Sequence, residues 1–256
     1  MKLAIASILA STAAAFTTSS FNGAALTNGV ASSSSLKMET LDDLSVLAKK
    51  LNPIVPRFDP LGLSTSNFWG TSQESTIGFL RESEVKHGRV AMFAFVGYIV
   101  HANGITWPWP MMLDGTPFPK VDSAPEAMDA IPDSAKLQIF AFVGFLEYWR
   151  EVSCEKHYMK GGKIGEMPAF DAKYIPGGAL NLYDPFGWST NRSEEAKANG
   201  LIKEINNGRA AMLGIIGFLS EQKISGSVPA LKGVVPHYDG EVMAPFAKSI
   251  LPNLHL

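Results

Sequence analysis

Glu84, His87 and Arg89 stand in the stretch ESEVKHGRVAMFAFVG, which begins polar and runs into apolar residues. Glu204, Asn207 and Arg209 stand in the same order in KEINNGRAAMLGIIG. A glutamate, then a histidine or asparagine three positions on, then an arginine, recur at a fixed offset of 120 residues. On a helix, positions three apart are neighbours on one face. The carboxylate and the imidazole or amide therefore offer lone pairs one turn apart, and the arginine can neutralise a nearby carboxylate. These residue types suit metal ligation and ion pairing. No catalytic triad, phosphate-binding loop or zinc spacing accompanies them.

The repeat continues through Gly88 and Gly208, Ala91 and Ala211, Met92 and Met212, and Gly97 and Gly217. Related turns stand ahead of each copy, FDPLGLS at 58–64 and YDPFGWS at 183–189. Two related helices imply a pseudo-two-fold pair that crosses in the middle, and their small residues allow close backbone approach. An unpaired charge inside a bilayer costs about 2.5–3.5 kcal/mol on insertion scales. Reciprocal pairs, Glu84 with Arg209 and Glu204 with Arg89, remove that cost. A carboxylate held by an arginine stays ionised and keeps an oxygen for ligation. Isolated ligands of this kind suffice for a magnesium ion already held by a flat ring, which needs one axial partner. A third segment carries Gln138 and Glu147, the latter three residues before Arg150.

Three helices are expected to position these groups: roughly Ser75–Ala102, Ser134–Glu151 and Glu194–Gln222. Each has an apolar middle of about ten to fourteen residues, short for a clean span. Trp107 and Trp109 in TWPWP follow the first, and Tyr148 and Trp149 end the second, as aromatics do at a bilayer interface. Between the first two helices Lys120 is the only Lys or Arg, whereas Arg150, Lys156, Lys160, Lys163, Lys173, Arg192 and Lys197 lie between or beside the second and third. That bias puts the second loop and the N-terminus on one side. The expected fold is an all-α membrane protein of three transmembrane helices, the first and third a pseudo-two-fold crossing pair.

Composition agrees with this and excludes other classes. The chain is 46% hydrophobic and 18% charged, with a net charge of −2. It has no basic stripe and no nucleic-acid motif. The single cysteine, Cys154, rules out an internal disulfide framework. Lys2 precedes the apolar run LAIASILA and the small residues STAAA before Phe16, a signal-peptide pattern. No Asp or Glu occurs before Glu39, and Ser, Thr, Ala and Gly dominate from Phe16 to Met38. Residues 1–38 therefore read as a two-part plastid presequence, with AAAF resembling its cleavage motif, and 39–256 as the mature domain. An ordinary secretory signal followed by a linker is the alternative.

E-x-x-H-x-R and E-x-x-N-x-R on the first and third of three helices resemble the light-harvesting chlorophyll-binding family. The likeness runs from Phe58 to about Gln222. The presequence and loops look most like the fucoxanthin–chlorophyll a/c proteins of diatoms and related algae. The resemblance implies axial chlorophyll ligands at Glu84, His87, Glu204 and Asn207, and at Glu147 and Gln138 on the second helix. It implies pairing roles for Arg89 and Arg209, and for Arg150 with Glu147. Glu221 occupies a position where the family has Gln or His, with Gln222 as its alternative. His101 lies fourteen residues past His87, as Glu221 does past Asn207. That spacing returns to one face about 21 Å along the axis, so His101 is a further ligand candidate, against an interfacial histidine that touches water or a loop carbonyl. The turns at Asp59–Pro60 and Asp184–Pro185 match loops that hold carotenoid ends. The implied cofactors are chlorophyll a, chlorophyll c and fucoxanthin or a related carotenoid. The implied setting is the thylakoid membrane of a plastid, N-terminus in the stroma, beside a photosystem core and neighbouring antenna proteins, with oligomers allowed. The activity is then excitation transfer rather than enzymatic turnover. A photoprotective antenna of the same fold shares these residues, as does a pigment-poor scaffold. A di-iron oxidase also uses Glu-x-x-His on helices, but needs four helices and a second histidine where Asn207 stands.

Overall fold

The computed structural model describes residues 39–55, 57–68, 70–170, 184, 186–188 and 191–246. The presequence expected at 1–38 lies outside them. The described residues form five α-helices and no sheet: α1 (Leu41–Leu51), α2 (Gln73–Ala102), α3 (Ala124–Ala130), α4 (Asp133–Ser153) and α5 (Glu194–Lys223). The three long helices coincide with the expected segments to within two residues. At 30 residues each, α2 and α5 are about 45 Å long. No helix among the described residues is long and apolar enough to cross a membrane, so membrane spans are not evident from the helices themselves.

Two helices beyond the expected three are short, and both start from legible caps. In α1, the Thr40 amide donates to Asp43 Oδ2 at 3.0 Å and the Asp43 amide donates to Thr40 Oγ1 at 3.3 Å. This is a capping box with Asp in the usual Glu place. Asp42 and Asp43 open the helix and Lys49 and Lys50 close it, each sign matched to the helix dipole. In α3, Ser123 Oγ accepts the Glu126 amide and Pro125 occupies the first turn, where its missing N–H costs nothing.

The chain forms two compact units, and α2, α4 and α5 contribute to both. In the unit built from 39–92 and 141–212, α2 meets α5 at Gly88 and Gly208. A Cβ on Gly208 would stand 2.8 Å from Gly88 Cα, and one on Gly88 would stand 3.1 Å from Gly208 Cα. Val85 and Ile205, and Ala91 and Ala211, are buried around this contact. Each pair is related by the 120-residue offset. In a two-fold arrangement only residues on the axis touch their own equivalents, so the axis passes by Gly88 and Gly208 and the expected pairing of α2 with α5 is present here.

The unit built from 93–140 and 213–246 has a core of Tyr98, Ile99, Ala102 and Phe218, covered by Ile215, Leu219, Leu231 and Val234. The Tyr98 ring lies nearly parallel to Phe218 at 4.8 Å. The chain after α5 folds back here: Tyr238 donates its hydroxyl to Asp129 at 2.7 Å, and Lys136 donates to the Pro245 carbonyl at 2.8 Å.

Much of the long helices is not packed by protein. Residues 137–145 of α4, LQIFAFVGF, are all exposed, including Phe142 and Phe145. Phe93 on α2 and Leu213 on α5 are more than 70% exposed. A helix apolar on nearly every side belongs in an apolar surrounding rather than in water.

Candidate functional site

The crossed pair of α2 and α5 holds the expected ion pairs. Arg209 donates from Nε at 2.7 Å and approaches through Nη2 at 2.6 Å, both to Glu84 Oε1. Arg89 donates from Nε to Glu204 Oε1 at 2.6 Å, and from Nη1 to the Gly165 carbonyl at 2.6 Å. Both pairs are reciprocal across the pseudo-axis. They lie half-buried, so each guanidinium holds a carboxylate in place without hiding it from a ligand.

His87 is exposed on α2, and its Nδ1 lies 2.8 Å from the Ser83 carbonyl. A carbonyl only accepts, so the proton belongs on Nδ1 and Nε2 keeps its lone pair. The helix thereby sets a tautomer fit for a metal ion. Asn207, the equivalent on α5, is exposed and makes no side-chain hydrogen bond among the described residues. Gln138 is the single polar side chain in the exposed run 137–145. Glu204 Oε2 has no partner among the described residues. Each donor thus stands singly beside exposed apolar surface, and no three His, Cys, Asp or Glu among the described residues gather to hold a bare metal ion. The donor set fits a group that brings its own equatorial ligands and a large flat apolar face. It does not fit a dinuclear iron centre, which needs several converging carboxylates and histidines.

On α4 the expected pairing is corrected. Glu147 does not bond Arg150: it accepts from Lys86 of α2 at 2.5 Å, and Lys86 also approaches Glu151 at 3.8 Å. Arg150 itself is 3% exposed. It donates to Glu82 Oε2 and to the Lys163 carbonyl, both at 3.3 Å, and Glu82 also accepts the Gly165 amide at 2.7 Å. Glu147 and Arg150 are one turn apart, but burial sorts them: the arginine turns inward to a buried carboxylate, and the glutamate stays at the surface with a lysine. Arg150 further lies 5.3 Å from the Tyr158 ring centre and donates to Cys154 Sγ.

Glu221 is committed to a turn rather than presented outward. It is 2% exposed, and its two oxygens accept the Gly226 and Val228 amides, each at 2.8 Å. That closes the chain after α5. Gln222 is 1% exposed and accepts the Tyr98 hydroxyl at 2.9 Å. His101 is exposed and makes no side-chain hydrogen bond among the described residues. His157 and His237 each face a carboxylate at 2.6 Å, Glu151 and Asp239 respectively.

The two DP turns are built alike. Asp59 Oδ1 accepts the Leu63 amide at 2.9 Å, and Asp184 Oδ1 accepts the Trp188 amide at 2.8 Å. Gly62 and Gly187 supply the left-handed backbone that each turn requires, at φ 64° and 68°. Hydrogen bonds from the Ser64 hydroxyl and amide hold the Asp59 carboxyl below the usual range. Pro60 continues its turn into Leu61; Pro185 lies outside the described residues. A cleft of about 500 Å³ opens beside the first turn, lined among others by Leu44, Leu63, Ile77, Arg57, Arg81 and Glu84.

Sequence reasoning missed Arg81 and Glu82. Arg81 donates from Nη1 to Glu84 Oε2 at 2.8 Å and from Nε to Glu39 at 3.2 Å. Its place one turn before Glu84 in RESE was a readable signal.

A family model described as "Chlorophyll A-B binding protein" matches residues 44–223. The "Fucoxanthin-chlorophyll a-c binding protein, chloroplastic" of Trieres chinensis is 38% identical over 234 residues, covering 90% of this chain and 98% of that protein. Fucoxanthin-chlorophyll a-c binding protein A of Macrocystis pyrifera is 32% identical over 221 residues, 85% of this chain and 88% of the relative. Protein F of Phaeodactylum tricornutum is 33% identical over 171 residues, 67% and 76% respectively.

Proposed function

We propose that this chain, which belongs to the chlorophyll A-B binding protein family, is a light-harvesting antenna that holds chlorophyll a, chlorophyll c and fucoxanthin in the thylakoid membrane of a plastid. The observation that carries this reading is the pair of reciprocal ion pairs flanked by single outward ligands on α2 and α5. The names of its chloroplastic relatives support the pigments and the organelle.

The three long helices α2, α4 and α5 span the membrane, with the N-terminus in the stroma. No helix among the described residues is apolar enough on its own, because ligands and ion pairs sit among the apolar residues. Pairing removes most of the insertion cost of Glu84, Arg89, Glu204 and Arg209. The bare surface at 137–145 then meets lipid and pigment.

Chlorophyll and carotenoid, when bound, supply the absorption of light and the transfer of excitation. The chain supplies position. Glu84, His87, Glu204 and Asn207 on the crossed pair, Gln138 and Glu147 on α4, and His101 near the end of α2 act as single axial ligands. Arg89 and Arg209 orient two of those carboxylates, while Arg150 fixes α4 through Glu82. The turns at Asp59–Pro60 and Asp184–Pro185 hold carotenoid ends, the first beside the cleft. Excitation leaves to neighbouring antenna chains and a photosystem core. Glu221 is left to its turn.

Purification of the native complex tests this. The expected result is chlorophyll a fluorescence on excitation into the carotenoid band, with both chlorophylls and fucoxanthin in the extract. A colourless protein, or one with iron and no pigment, refutes it.

A further inference from the structure

The pseudo-symmetry between the two glutamates is broken at one position, and the break falls on the ligand. An ionised carboxylate has about four acceptor positions, two on each oxygen. On Glu84, two contacts from Arg209 converge on Oε1 and one from Arg81 reaches Oε2. On Glu204, Arg89 takes one position on Oε1 and Oε2 is open. The residue equivalent to Arg81 is Leu201, half exposed and unable to donate. Arg81 is 4% exposed and is braced from its other side by Glu39, so its geometry is built into the fold.

We infer that Arg81 is a positioning residue that makes the Glu84 and Glu204 sites unequal. It leaves Glu84 a single open acceptor position and draws charge from its carboxylate, so Glu84 is the weaker axial donor of the pair. Charge-assisted hydrogen bonds are the strong ones, and a carboxylate engaged by two guanidinium groups has less electron density to give a magnesium ion than one engaged by one. The two pseudo-equivalent pigments then differ in excitation energy and in residence time. Glu39 balances the added cation, so the difference arises without leaving the site with excess positive charge. The inference rests on the ligand roles proposed above.

The test uses the full mature chain refolded with chlorophyll and carotenoid. Glu84→Ala and Glu204→Ala difference spectra at low temperature first identify the band belonging to each site. Arg81→Leu is expected to move the Glu84 band, leave the Glu204 band in place, and slow pigment loss from the Glu84 site several-fold. Arg81→Lys, which returns a cation, moves the band back. Leu201→Arg lies on an exposed position and adds a donor on the Glu204 side. It is expected to shift the Glu204 band in the opposite sense and to speed pigment loss there. If Arg81→Leu fails to refold, Leu201→Arg decides alone. Two bands that stay fixed in every variant overturn the inference while leaving the ligand roles intact. Failure of both alanine variants to lose a band overturns the ligand roles, and this inference with them.

Discussion

Gly88 and Gly208, which match in the repeat, touch each other across the contact of α2 with α5. The side of the helix that each presents has room for a hydrogen and nothing larger. Gly208→Ala places a methyl 2.8 Å from backbone, and Gly88→Ala places one at 3.1 Å. Overpacking of this kind costs about 1–3 kcal/mol. We expect both substitutions to lower the thermal midpoint of the refolded complex, Gly208→Ala more. The double substitution should cost more than either alone, since both methyls compete for one gap. An unchanged midpoint in Gly208→Ala contradicts the close contact.

The ion pairs make a second expectation, best read as a cycle. Arg89→Leu leaves Glu204 as an uncompensated anion, at a cost of about 2.5–3.5 kcal/mol in a bilayer. Arg89→Leu with Glu204→Leu removes the charge altogether and should recover part of the loss in detergent-resistant stability, though not the pigment on Glu204. If the double variant is no more stable than the single, the pairing is not what makes the arginine necessary.

His87 and Asn207 should be interchangeable in part. Each is an exposed single donor on its helix, so His87→Asn and Asn207→His are expected to keep the chlorophyll count, while His87→Leu and Asn207→Leu each lose one. Gln138→Leu should likewise cost one chlorophyll with little change in helix content by circular dichroism. A full count in all three leucine variants rules these residues out as ligands.

His101 and Glu221 share a register but not a role. His101→Leu is expected to lower the chlorophyll count by one. Glu221→Ala removes the acceptor of two backbone amides, each such bond to a charged group contributing about 1.5–3 kcal/mol. Its effect should be a lower thermal midpoint and faster proteolysis after Lys223, with the pigment count held until the fold gives way.

Acid sensitivity is expected at the first turn. The Asp59 carboxyl is held below its ordinary value of 3.8, chiefly by the Ser64 hydroxyl. A carboxyl with a lowered folded value contributes stability above its unfolded value and loses it as pH falls through the folded one. Carotenoid retention should therefore be flat above pH 3.8 and fall below it. Asp59→Asn should be weaker at neutral pH and lose that step. The same acid step in Asp59→Asn places the sensitive group elsewhere.

The repeat was legible because equivalent residues kept their types over fixed spacing. It carried the two long helices α2 and α5, their crossing at Gly88 and Gly208, and both reciprocal pairs; α4 was legible from its own apolar run. What it could not carry is contact between elements that share no repeat. Glu147 and Arg150 were paired on the family resemblance, but burial turned Arg150 toward Glu82, 68 positions away. The fate of Glu221 depended on a turn that begins after α5, whose amides leave no mark in the sequence. The short helices α1 and α3 were readable from Thr40 with Asp43 and from Ser123 with Pro125, but they fall outside the repeat.

The exposed run at 137–145 ties the fate of the chain to its cargo. The large apolar side chains of that run stay about half exposed, so on the proposed reading α4 gains its full burial only when lipid and pigment arrive to enclose it. A chain made ahead of its pigments exposes Phe140, Phe142 and Phe145 together, the kind of sticky surface that chaperones hold and proteases clear. On the proposed function, accumulation of the protein is then metered by pigment supply, and the size of the antenna follows from how much of this helix is covered.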